Sequence, residues 1–136
     1  MVKHKNFVPK RVERALTFSD KNEEQLRKAI KQINKDRKID FVLFTGDNIN
    51  KATKKNMARF LRAANKLNKP YYVVIGNHDV FRYNRFDKED YIHSIWLRHP
   101  QMLFKKTNYT FKPNRELVFL VFDGANELIP SQSGYY

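Results

Sequence analysis

Apolar positions along this chain fall either at helical spacing or in short continuous runs, and the change from one to the other marks its elements. Leu26, Ala29, Ile30 and Ile33 recur at helical spacing behind Asp20 and Glu23, whose D-x-x-E spacing fits a capping box. They predict a helix over about 21–35 with one buried face. The run Phe41-Val42-Leu43-Phe44-Thr45 is continuously apolar and β-prone, and Gly46-Asp47-Asn48 stops it. A strand covered on both faces reads this way. Met57, Phe60, Leu61, Ala64 and Leu67 mark a second amphipathic helix that ends near Asn68, before Pro70. Tyr71-Tyr72-Val73-Val74-Ile75 is a second buried strand, stopped by Gly76.

Strand, helix and strand joined by short connections form a βαβ unit with parallel strands. Neighbouring strands lie about 5 Å apart. The loops beginning at Gly46 and Gly76 then leave the sheet at the same edge, and in open α/β sheets ligands bind at that carboxyl edge. Farther on, 87–97 reads as a third helix with Tyr91, Ile92, Ile95 and Trp96 inward. Residues 108–111 and Leu117 to Phe122 read as an antiparallel hairpin around Lys112-Pro113-Asn114-Arg115. The last strand is apolar enough to require cover on both faces, yet only 14 residues follow it. The reading is therefore of an α/β fold: a partial β-sheet layer flanked by helices, with a βαβ core, a C-terminal β-hairpin, and a fold left unfinished.

Composition adds charge to this picture. The 136 residues suit one domain, and 41% hydrophobic with 30% charged residues is a globular balance. Lys and Arg number 27 against 14 Asp and Glu, a net charge of +13. That charge suits nucleic acid, nucleotides or another polyanion, or it is simply a basic solvated surface, since the lysines are spread along the chain. Residues 1–14 read as a basic arm or loop preceding a domain over 15–136. There is no cysteine, so disulfides and thiolate ligands are excluded. No apolar run is long enough to span a membrane, and the N-terminus is too polar for a signal peptide, which makes the cytoplasm the default location.

The candidate chemistry lies in the two strand-end motifs, Gly46-Asp47-Asn48 and Gly76-Asn77-His78-Asp79. In each, glycine allows a sharp turn and is followed by oxygen and nitrogen donors of the kind that hard or borderline divalent cations accept. Taken singly, Asp47 reads as a loop carboxylate, Asn77 as a turn residue and His78 as a hydrogen-bonded loop histidine; the shared strand context favours a metal site.

F-V-L-F-T-G-D-N and Y-Y-V-V-I-G-N-H-D resemble the second and third signature blocks of the calcineurin-like metallophosphoesterases, over roughly 15–136 with the sharp motifs at 41–79. The resemblance implies hydrolysis of phosphomonoesters or phosphodiesters with two divalent metal ions (Mn, Fe, Zn or Mg) and a phosphate-ester substrate. It implies that Asp47 bridges the metals and that Asn77 ligates the second one. It further implies that His78 faces the phosphate and that Asp79 orients the imidazole of His78. The family pattern also includes an early Asp-x-His, a later lone His and a late Gly-His-x-His. Asp20-Lys21-Asn22 departs from the first, and Asp20 reads better as a helix cap; His4, His93 and His99 follow no buried strand, and Asp123-Gly124 reads as a turn. Two ligands are too few to hold two metals tightly. The expectation is thus a truncated piece, a degenerate member or half of a split enzyme. The alternative is a non-catalytic basic module that binds polyanions.

Overall fold

The computed structural model describes residues 20–99, 106–126 and 128. In chain order the elements are helix α1 (Asp20–Lys35), strand β1 (Val42–Phe44), helix α2 (Lys54–Ala64), strand β2 (Tyr71–Val73), a 3-10 turn (Arg82–Asn84), helix α3 (Lys88–Arg98) and strands β3 (Tyr109–Phe111) and β4 (Phe119–Val121). The expected basic arm 1–14 and the segment after β4 beyond 128 lie outside the described residues.

β1 and β2 pair in parallel, with Val42 opposite Tyr71, Leu43 opposite Tyr72 and Phe44 opposite Val73. β3 and β4 form a separate antiparallel pair with Phe111 opposite Phe119. The βαβ unit and the hairpin are therefore both present, as two small sheets.

α2 anchors the core. Thr53 caps it by accepting the Asn56 N–H on Oγ1 at 3.2 Å, and Met57, Phe60 and Leu61 lie fully buried on its inner face. The Phe44 ring meets Phe60 edge-on at 5.0 Å, so one face of β1 packs on α2. The opposite face carries Phe41, whose ring meets Phe111 at 6.2 Å and Phe119 at 5.5 Å. Tyr72 stacks on Phe111 at 3.6 Å. The hairpin thus closes the second side of the sheet through an aromatic cluster.

α1 joins α2 through charge as well as apolar contact. Glu23 takes Arg27 at 2.7 Å and Arg59 of α2 at 2.9 Å. Its carboxylate, expected to complete a capping box, is engaged by these two guanidiniums. The Asn34 side chain donates to the Lys66 carbonyl at 2.8 Å and accepts the Asn68 N–H at 2.9 Å, which fixes the chain leaving α2.

Several burial expectations are corrected. Ala29 is exposed, and α1 buries Ile30, with Leu26 and Ile33 half-buried. β1 is half-buried along its length, and among the described residues it pairs with β2 alone. Trp96 is 46% exposed; Ser94 takes the inward position on α3 beside Tyr91 and Ile95. In the last strand Leu120 is 62% exposed and Phe122 76%, so among the described residues only one face of the hairpin is covered. Asp87 caps α3 by accepting the Asp90 N–H at 3.0 Å.

Candidate functional site at the carboxyl edge of the parallel strands

The parallel register sends the loops after β1 and β2 out at one edge, where they touch. Gly46 adopts φ +98° and Asp47 φ +50°. A left-handed conformation is free for glycine and uncommon for aspartate. Asp47 is held in it by its own side chain, whose Oδ1 accepts the His78 N–H at 3.0 Å. The glycines pass each other closely. A Cβ on Gly46 would stand 3.1 Å from the Gly76 Cα, and one on Gly76 would overlap the Asp47 backbone nitrogen and Oδ1. The two glycines identified at the strand ends therefore serve the approach of one loop to the other as well as each loop's own turn.

Asp79 locks the pair together. It is fully buried. One oxygen accepts the Gly76 N–H at 2.8 Å and the Asn48 side-chain N–H at 3.0 Å; the other accepts the Ile49 N–H at 2.9 Å. Asn48 also donates to the Val74 carbonyl at 3.1 Å. Burial pushes the Asp79 carboxyl up to about 6, against the opposing pull of the Gly76, Ile49 and Asn48 donors and with a further push from the Asp47 charge. The expected grip of Asp79 on the His78 imidazole is not formed. Its oxygens point inward to backbone and amide N–H groups, while His78 is exposed.

Asp47, Asn77 and His78 come to this corner together. Asn77 and His78 line one cleft of about 190 Å³, and Asp47 reaches the same turn through the His78 N–H. Between them they present one carboxylate, one carboxamide and one imidazole. Among the described residues no group of three or more His, Cys, Asp or Glu could hold a metal ion. A metal pair needs a bridging anion and about four ligands per ion. The described donors fit part of such a shell and do not fit a complete pair.

The remaining candidates are accounted for elsewhere. His99 is buried, stacks on Tyr71 at 4.0 Å and shares a hydrogen bond with the Tyr71 carbonyl through Nε2 at 2.9 Å. Burial pulls its pKa below the usual histidine value, against the carbonyl contact, and its ring is engaged in packing on Tyr71. His93 is exposed on α3 and does not line the cleft with Asn77 and His78. Asp123 pairs with Lys88 at 2.7 Å and accepts the Ala125 N–H at 2.8 Å, which makes it a turn residue. His4 lies outside the described residues.

Asn50, Lys51 and Asn84 were missed as contributors to this corner, and Asn48, named within the first motif, was given no role of its own. Asn48 crosses to Asp79, and the other three line the cleft with Asn77 and His78. The run Asp47-Asn48-Ile49-Asn50-Lys51 carries an unusual density of polar side chains for a loop leaving a core strand, and that was the available signal.

No helix among the described residues is long and apolar enough to cross a membrane. No curated protein sequence matches the chain. The family model for calcineurin-like phosphoesterases matches residues 15–128, most of the chain and both strand-end motifs, and the chain belongs to that family.

Proposed function

We propose that this chain acts on phosphate monoesters or diesters at the edge formed by its two strand-end loops, within a domain that follows the basic arm 1–14. Asp47 and Asn77 serve there as ligands for divalent cation. His78, with an exposed ring, faces the phosphate, where an imidazolium would offset charge on the phosphoryl oxygens and hand a proton to the leaving oxygen. Asp79 acts as a positioning residue: it holds the backbone of both loops so that the donors of each meet at one point. The observation that carries this reading is the 3.0 Å bond from the His78 N–H to the Asp47 carboxylate, a direct link between two motifs 31 residues apart.

The described donors are too few for a tight metal pair, so the isolated chain is expected to bind divalent cation weakly and to hydrolyse esters slowly or not at all. Titration with Mn²⁺ followed by calorimetry tests the site. Binding should be lost in Asp47→Ala and Asn77→Ala. Unchanged affinity in both variants would remove the basis for the assignment. Fast turnover of a chromogenic phosphodiester by the chain alone, abolished by Asp47→Ala, would overturn the expectation of weak activity.

A second reading rests on the net charge of +13, which suits a basic module recruiting nucleic acid or another polyanion without catalysis. Such binding would weaken steeply with salt and ignore Asp47→Ala and Asn77→Ala.

A further inference from the structure

The asparagines of this chain divide by what their side chains do. Asn34, Asn48, Asn56, Asn65 and Asn68 each use the side-chain amide in hydrogen bonds that tie one segment to another. Asn50, Asn77 and Asn84 make no side-chain hydrogen bond to any described residue. These three line the same cleft, although they come from three separate segments: the loop after β1, the loop after β2 and the 3-10 turn. The Lys51 ammonium and the His78 ring, also in that wall, are likewise without a partner among the described residues. No buried side-chain nitrogen or oxygen among the described residues lacks a hydrogen bond.

The rest of the wall is apolar. Ala52 and Val80 are buried beneath it, and Phe81 is half-buried at its side. No carboxylate lines the cleft among the described residues. At about 190 Å³ it is smaller than the roughly 300–1,000 Å³ of sites that swallow a whole drug-sized ligand, and so has room for one ring system. A flat heterocycle has apolar faces for Phe81, Ala52 and Val80, and an edge of mixed donors and acceptors. A carboxamide offers both a donor and an acceptor and pairs with such an edge. Bases also stack on aromatic side chains without a strict sequence requirement. Lys51 adds a cation suited to an anionic ligand.

We propose that this cleft seats the base of a nucleoside phosphate, with Asn50 and Asn84 reading the base edge while the phosphate lies at the Asp47–His78 corner. The proposal rests on the phosphoester reading above and names the substrate class of that site.

Affinities of AMP, GMP, CMP, UMP, ribose 5-phosphate and inorganic phosphate for the full chain, measured by calorimetry or by NMR titration, test it. At least one nucleotide should bind about tenfold more tightly than ribose 5-phosphate, the difference a good pair of hydrogen bonds makes. Asn50→Ala and Asn84→Ala should each erase most of that difference and leave ribose 5-phosphate affinity within about twofold. Neither side chain bonds to any other described residue, so both variants should keep the wild-type circular dichroism and melting temperature. If all four nucleotides bind no more tightly than ribose 5-phosphate, or if the preference survives both substitutions, the base seat is wrong. If no probe binds, the base seat is also wrong. The Mn²⁺ titration of Asp47→Ala decides the phosphoester reading separately.

Discussion

Gly76→Ala places one methyl group where the β1 loop already stands. A Cβ there overlaps the backbone nitrogen and Oδ1 of Asp47 and comes within 2.9 Å of its Cα, where ordinary contact begins at 3.4 Å. The obstruction is mainly backbone, so no side-chain rotation relieves it, and one loop must move. Overpacking of this kind costs about 1–3 kcal/mol. Movement also stretches the Asp47–His78 N–H bond, a hydrogen bond to a charged group worth about 1.5–3 kcal/mol. These terms share one displacement and do not simply add; a total of about 3 kcal/mol follows, which in a domain of this size lowers the melting temperature by about 10 °C. Thermal unfolding followed by circular dichroism measures the shift, and Mn²⁺ titration measures whether the cation site survives. Gly46→Ala is the companion variant: its Cβ has a little more room, 3.1 Å to the Gly76 Cα, but it must adopt φ +98°. A Gly76→Ala protein that melts within 2 °C or so of wild type and keeps Asp47-dependent Mn²⁺ binding would refute the claim that the two loops are in contact at their glycines.

Asp79→Ala leaves the Gly76, Ile49 and Asn48 donors without their acceptor and should cost about 3–5 kcal/mol in urea unfolding, more than a surface carboxylate such as Asp36. His99 supplies a pH dependence. Burial lowers its folded-state pKa below the unfolded value, so its contribution to stability is present above about 6.5 and is lost as pH falls below it. His99→Phe, which keeps the stack on Tyr71, should flatten the fall in unfolding midpoint between pH 7.5 and pH 5.5; an unchanged pH slope would mean that another group controls it.

Periodicity carried much of this protein in its sequence. The order of helices and strands, the parallel βαβ unit, the C-terminal hairpin and the two glycine-led loops all follow from local patterns of apolar spacing and turn residues, which constrain each segment independently. The motif letters also carried the family, because glycine, asparagine, histidine and aspartate directly after an apolar strand form a local signature. Partners across the fold were beyond such reading. Asp79 looked like a support for its neighbour His78, and only folding shows its oxygens turned to Ile49 and Asn48, some 30 residues away. His99 follows no buried strand in the sequence, and only folding shows it stacked on Tyr71. Trp96 fits the helical stripe as well as Ser94 does, and which of them turns inward depends on what α3 meets. Sequence spacing fixes direction along one element; which groups are left without a partner, as in the cleft beside His78, is decided when separate elements close on one another.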